Sequence, residues 1–111
     1  IRLNTSEENL MYILRYMQAN YKTVSLKELS SIFNYSERQL PRIIQNATGH
    51  TFIENIQNQK MKRASDLLIN SALSVSEISE QTGFQSLNNF RKIFFRHFGM
   101  TPSEYRKTCA V

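Results

Sequence analysis

An all-α fold is predicted for this 111-residue sequence from three observations. A helix-start signal recurs six times, the apolar residues between these signals keep helical spacing, and a long pattern repeats after about fifty residues. The expected architecture is seven helices, forming two helix-turn-helix units joined by a long central helix.

An α-helix leaves its first amide donors unpaired. A Ser or Thr at the N-cap satisfies one of them, and a Glu or Gln three residues later reaches back to the cap. The pairs Thr5 and Glu8, Ser25 and Glu28, Ser36 and Gln39, Thr51 and Glu54, Ser74 and Glu77, and Thr101 and Glu104 fit this pattern. Leu10, Ile13, Leu14 and Met17 then place a first helix at 6–19 by their i, i+3, i+4, i+7 spacing. Leu26, Leu29, Ile32 and Phe33 mark a short second helix. Leu40, Ile43 and Ile44 mark a third, with Ser36 as its cap and Pro41 as its fifth residue. A long helix from 52 to 69 carries Phe52, Ile53, Ile56, Met61, Ala64, Leu67, Leu68 and Ile69. Val75 and Ile78 belong to a short fifth helix, and Phe90, Phe94 and Phe98 to a sixth. Pro102 suits the first position of a last helix, where its missing N–H costs nothing. Asn34, Gly49, Gly83 and Gly99 stand where helices stop and accept the left-handed conformation.

Composition narrows the functional classes. A chain of this size buries about two-thirds of its surface on folding, so a core forms without staples. Fourteen basic residues against nine acidic give a net charge of +5, which favours an anionic partner. One Cys excludes an internal disulfide, and two His with it supply no Cys/His zinc cage, so no cofactor is expected. No run of about 18 apolar residues spans a membrane. The start at Ile1 reads as a piece of a longer protein, and an unpaired Cys without an export signal suits the cytoplasm. An enzyme would rest on Cys109 in a frayed tail, or on His50 and His97, which stand apart from any nucleophile or carboxylate pair; no catalytic residue is expected. A helical protein-interaction module and an RNA binder are the competing classes. Phe84, Phe90, Phe94 and Phe98 would have to stack on bases for the latter, whereas their spacing suits core packing.

The repeat pairs Gly49, Thr51 and Glu54 with Gly99, Thr101 and Glu104, and Glu28-Leu29-Ser30 with Glu77-Ile78-Ser79. Asn34-Tyr35-Ser36 corresponds to Gly83-Phe84-Gln85-Ser86 with one residue inserted. Each copy is a short helix, a tight turn and a longer helix, with small Ser30 or Ser79 where the second helix crosses closely. An ordinary helical hairpin has the same outline. Duplication on a basic chain favours double-stranded DNA. The long helix would extend roughly 28 Å, against about 34 Å for a turn of B-DNA. Such a rod either sets two recognition helices in successive major grooves or merely joins two lobes.

Gly83-Phe84, Ser86, Phe90 and Phe94, followed by Gly99, Thr101-Pro102 and Glu104-Tyr105-Arg106, resemble the C-terminal signature of the AraC/XylS family of bacterial transcription regulators. Ser36, Leu40, Arg42, Gly49, Lys60-Met61, Ala64 and Leu67-Leu68 fit its upstream half, so the likeness runs from about residue 5 to 107. The resemblance implies a homeodomain-like tandem: a first lobe over 1–50, a linker helix over 51–70 and a second lobe over 71–111. It implies promoter DNA as partner, RNA polymerase as a further one, and a small-molecule effector acting only through a domain outside this piece. The recognition helices would cover about 36–48 and 86–98.

Carried over by position, the base-reading residues are Arg38, Pro41 and Arg42, then Leu87, Asn88, Arg91 and Lys92. Arg and Lys match guanine acceptors, Asn pairs adenine, and Leu87 suits a thymine methyl. The alternatives are a solvated face for Arg38, Arg42 and Lys92, cap support for Asn88, and core packing for Leu87. Phosphates would meet helix N-termini near Thr23, Ser36 and Ser86, with Lys27 and Arg96 as side-chain contacts. Three positions depart from the family pattern. Phe95 stands where a basic residue is usual. Ser30 and Ser79 replace Ala, and their hydroxyls are free to bond back to the i−4 carbonyl. Pro41 lies inside the first recognition helix, where the loss of its bond to the Glu37 carbonyl predicts strain that Pro41→Gln would relieve.

Overall fold

The computed structural model describes residues 5–109, with side chains from residue 8 onward. The expected box of Thr5 with Glu8 therefore involves a side chain outside the described set. The described residues form seven α-helices and no strand: α1 (Thr5–Ala19), α2 (Leu26–Phe33), α3 (Leu40–Thr48), α4 (Phe52–Asn70), α5 (Val75–Gln81), α6 (Leu87–Phe98) and α7 (Pro102–Cys109). They divide between Gln57 and Asn58 into two compact units, so that α4 contributes to both.

The helix starts are set by the residues that the pattern singled out. Ser25, Thr51, Ser74 and Thr101 each accept the amide three residues on, at 3.0–3.1 Å. At Thr51 the box closes, because the Glu54 carboxylate accepts the Thr51 amide at 2.8 Å. These bonds hold the Glu54 carboxyl below its ordinary pKa, the amide contributing most and the Thr51 side chain next. At Ser25 the box does not close. Glu28 turns instead to the Tyr16 hydroxyl, which donates to its carboxylate and ties α2 to α1. That bond is the main reason the Tyr16 phenol titrates above its usual range; burial and the Glu28 charge add to it. The stops also follow expectation, with φ of 63° at Asn34, 77° at Gly49, 85° at Gly83 and 74° at Gly99. These values lie in the left-handed region that a side chain resists.

The third helix differs from expectation at its start. Ser36 and Gln39 do form a closed box, with the Gln39 amide on Ser36 Oγ at 3.0 Å and the Ser36 amide on Gln39 Oε1 at 3.3 Å. Yet residues 37–39 form a turn, and α-helix begins only at Leu40. Pro41 is thus the second helical residue rather than the fifth. The chain is already wound ahead of it, with Gln39 at φ −79°, ψ −37° and the Leu40 amide on the Ser36 carbonyl at 3.2 Å, but the carbonyl that Pro41 leaves without a partner belongs to exposed Glu37. Ser30 also departs from expectation. Its hydroxyl donates forward to the Tyr35 carbonyl and staples the turn between α2 and α3, rather than bonding back along its own helix.

Each unit has its own core. In the first, Ile13, Met17, Val24, Leu29, Leu40, Ile44 and Ile56 are buried, and Tyr16 meets Phe33 edge-on at 6.1 Å. In the second, Met61, Ala64, Leu67, Leu68 and Ile78 close around Phe90 and Phe94. Phe94 packs against Phe98 at 4.5 Å and edge-on against Tyr105 at 5.4 Å, which fastens α7 to α6. Aromatic pairs of this kind are each worth about 0.5–1.5 kcal/mol beyond area burial. The spacing of the Phe residues therefore reflects core packing, as the sequence favoured. Ile32, Ile53 and Ile69 mark their helices correctly but lie off the buried stripe and are about half exposed or more.

Candidate nucleic-acid interface

In each unit a short helix, a tight turn and a longer helix present a polar outer face. In the first unit, Ser30 and the left-handed Asn34 fix the turn before α3. Arg38 lies in the turn that precedes the helix and Arg42 in its first helical turn, both exposed, while Pro41 between them is half-buried. Thr23 and Lys27 are exposed on either side of Ser25, the cap of α2. Ser36 is exposed as well, but its hydroxyl already donates to Gln39 Oε1 at 3.1 Å.

In the second unit the turn between α5 and α6 is braced from three sides. Thr82 is fully buried and its hydroxyl donates to the Ile78 carbonyl at 2.7 Å. Gly83 takes a φ that a side chain would oppose. Lys60 reaches across from α4, placing Nζ 3.3 Å from the Gly83 carbonyl and 4.8 Å from the centre of the Phe84 ring. Burial holds the Lys60 ammonium below its ordinary pKa. A cation over an aromatic face in partly dry surroundings contributes about 0.5–2 kcal/mol.

That turn delivers α6 with Ser86 as its N-cap, whose Oγ accepts the Asn89 amide at 3.0 Å. Because Ser86 makes the cap, the Asn88 side chain is not needed for it; Asn88 is exposed and its side chain bonds to no described residue. Asn88, Arg91 and Lys92 stand at i, i+3 and i+4 and are all exposed, so they share one face of the helix. Leu87 rests half-buried on the second core, the alternative left open for it. Arg96 is exposed in the last turn of α6, where the helix dipole favours a cation. Among the described residues the one ion pair is Arg63 with Asp66, so Arg38, Arg42, Arg91, Lys92 and Arg96 carry no protein counter-charge there. Uncompensated cations on these exposed faces are what a polyanion needs.

Two supporting residues were quoted in the sequence pattern without a role. Lys60 carried a local signal, since it stands four residues before buried Ala64 on the packed side of α4. Arg106 carried none. Its guanidinium donates to the carbonyls of Leu68 at 3.0 Å and Ser71 at 3.3 Å, more than thirty residues away, and so closes the end of α4. His50 and His97 are exposed beside helix ends, and Cys109 is a free thiol. No helix of the described residues is long and apolar enough to cross a membrane.

A family model described as a helix-turn-helix domain matches residues 29–108. An HTH-type transcriptional regulator of Bacillus subtilis, YfiF, is 30% identical over 105 residues, which is 94% of this chain and 33% of that protein. The chain spans about a third of the length of the curated relatives it matches. Among solved structures, the C-terminal domain of AraT, a response regulator from Geobacillus stearothermophilus, superposes with a TM-score of 0.88 at 26% identity. The match covers all of this chain and 91% of that one. The DNA-binding domain of AdpA, a global transcriptional factor solved with a target DNA, gives 0.83 at 25% identity over 90% of this chain and 91% of that one. Two helix-turn-helix units, their braced turns and these likenesses agree: the chain belongs to the AraC/XylS family, as one of its helix-turn-helix DNA-binding domains for transcription regulation.

Proposed function

We propose that the chain reads promoter DNA as a sequence-specific double-stranded binder, with α3 and α6 in successive major grooves. The observation that carries this reading is the face of α6, where Asn88, Arg91 and Lys92 lie exposed and unpaired among the described residues on a firmly capped helix. Asn88 pairs adenine, and Arg91 and Lys92 take guanine acceptors or adjacent phosphates. Leu87 offers its exposed edge to a thymine methyl. In the first unit, Arg38 and Arg42 supply the donors and Pro41 lies against the groove without any. Thr23, Lys27, Ser36, Ser86 and Arg96 hold phosphates. In the first lobe (1–50), the linker (51–70) and the second lobe (71–111), these roles divide as one reader, a connection and a second reader. The domain serves a bacterial regulator in the cytoplasm, with RNA polymerase as a further partner and any effector acting through a domain beyond this chain.

A salt titration tests the reading. The duplex is one enriched from a random library by the chain itself, set against a scrambled control. If six to ten phosphates are engaged, log affinity falls against log salt with a slope of roughly −5 to −9. A slope near zero, or equal affinity for both duplexes, rejects it. A footprint of the monomer should show two protected segments about 10 bp apart. One segment alone would mean that a single unit docks.

A further inference from the structure

The Phe95 side chain belongs to neither core. It is 54% exposed on α6, whereas Phe90 and Phe94 on the same helix are fully buried. The ring contacts that join Phe84, Phe90, Phe94, Phe98 and Tyr105 do not include it. Its position is nonetheless specific. At 100° per residue, a side chain three places after Lys92, four after Arg91 and seven after Asn88 continues their stripe along the helix. Arg91 and Lys92, four and three residues before it, are its neighbours on that face, and neither is ion-paired among the described residues.

An apolar protein surface covering this ring would have to strip water from both neighbouring cations without replacing it, which is costly. Duplex DNA presents the complementary mixture. Phosphates answer the cations, and the one apolar group on the floor of the major groove, the thymine methyl, answers the ring. Resting on the reading of α6 as a recognition helix, we infer that Phe95 determines specificity by packing its phenyl ring against a thymine methyl at the far end of that face. Seven residues of helix advance about 10 Å, and base steps on one strand are about 3.4 Å apart. The thymine therefore lies about three base pairs from the base that Asn88 reads.

Random-library selection with the wild type, Asn88→Ala and Phe95→Ala tests this. The wild type should enrich a thymine about three positions from the base whose preference Asn88→Ala abolishes. Phe95→Ala should lose that thymine while keeping the rest of the site and an unchanged salt slope. Deoxyuridine at that position removes only the methyl. It should weaken wild-type binding about fourfold, the worth of one buried methyl-sized group, and leave Phe95→Ala unaffected. The inference is overturned if Phe95→Ala weakens all duplexes alike, if it selects the same thymine, or if deoxyuridine costs the wild type nothing. If the wild type enriches no sequence at all and shows no salt slope, the reading of α6 itself fails. Phe95 is exposed, so the variant should keep its helix content, and the deoxyuridine measurement requires no variant.

Discussion

Replacing Pro41 with Ala or Gln should not stabilise the protein. A proline in a helix interior costs about 3 kcal/mol, so its removal from the fifth helical position would bring a large gain. In the structure Pro41 is the second residue of α3, preceded by the turn at 37–39 and the closed box of Ser36 and Gln39. The would-be partner of its absent N–H is the Glu37 carbonyl, on an exposed residue of that turn that water reaches. Water therefore replaces the bond that proline removes. What remains is the restriction proline places on the unfolded chain, worth about 0.4–1 kcal/mol. Leu40, which is helical directly before a proline, is crowded by it and draws the net toward the low end. The expected result is a fall in Tm of about 2–4 °C for a domain of this size, followed by far-UV circular dichroism or calorimetry. A rise of about 4 °C or more would mean that strain of a kilocalorie or more had been relieved, and that the turn does not shield the proline.

Asn88→Ala and Lys92→Ala should each cost about 1–3 kcal/mol of binding and relax base preference in one half of the site, measured by selection and anisotropy; uniform weakening would make them phosphate contacts instead. Lys60→Met should lose roughly 1 kcal/mol of stability with the Gly83 bond and the Phe84 contact, and hydrogen exchange should quicken at the Gly83 and Phe84 amides. Unchanged exchange there would show that Lys60 does not brace the turn. Because the Glu54 carboxyl is depressed, its contribution to stability is complete above its ordinary value of 4.5 and lost as pH falls through the lower folded-state value. Wild-type Tm should therefore decline more steeply on acidification below pH 4.5 than that of Glu54→Gln, and parallel declines would remove the box from the account.

What the sequence disclosed was what is local. Caps act over three residues and stops at a single one, so Thr51, Ser74, Gly49 and Gly99 could be recognised from their neighbours alone. Where two local signals competed, the reading failed. Ser36 carries a true capping box, but the helix waits until Leu40, and a box alone cannot distinguish an α-helix from a turn that leads into one. Glu28 was drawn from its cap by Tyr16, twelve residues away, and Arg106 found its carbonyls more than thirty away. Such partners are fixed by packing, and no spacing announces them. The exposed cations were identifiable by type, whereas the half-burial of Leu87 needed the second core to be assembled.

The two cores share no residue, since one closes around Leu29 and Ile44 and the other around Phe90 and Phe94. Substitutions without common partners add within about 0.3–0.5 kcal/mol. Stability losses from changes beneath α3 and beneath α6 should therefore add to within that margin. If each unit reads one half of a site, as proposed, those halves are free to drift separately over generations. On that reading one half can pass through a weak, poorly discriminating form while the other still holds the DNA. A tandem with two separate cores would then explore new binding sites without first losing the old one.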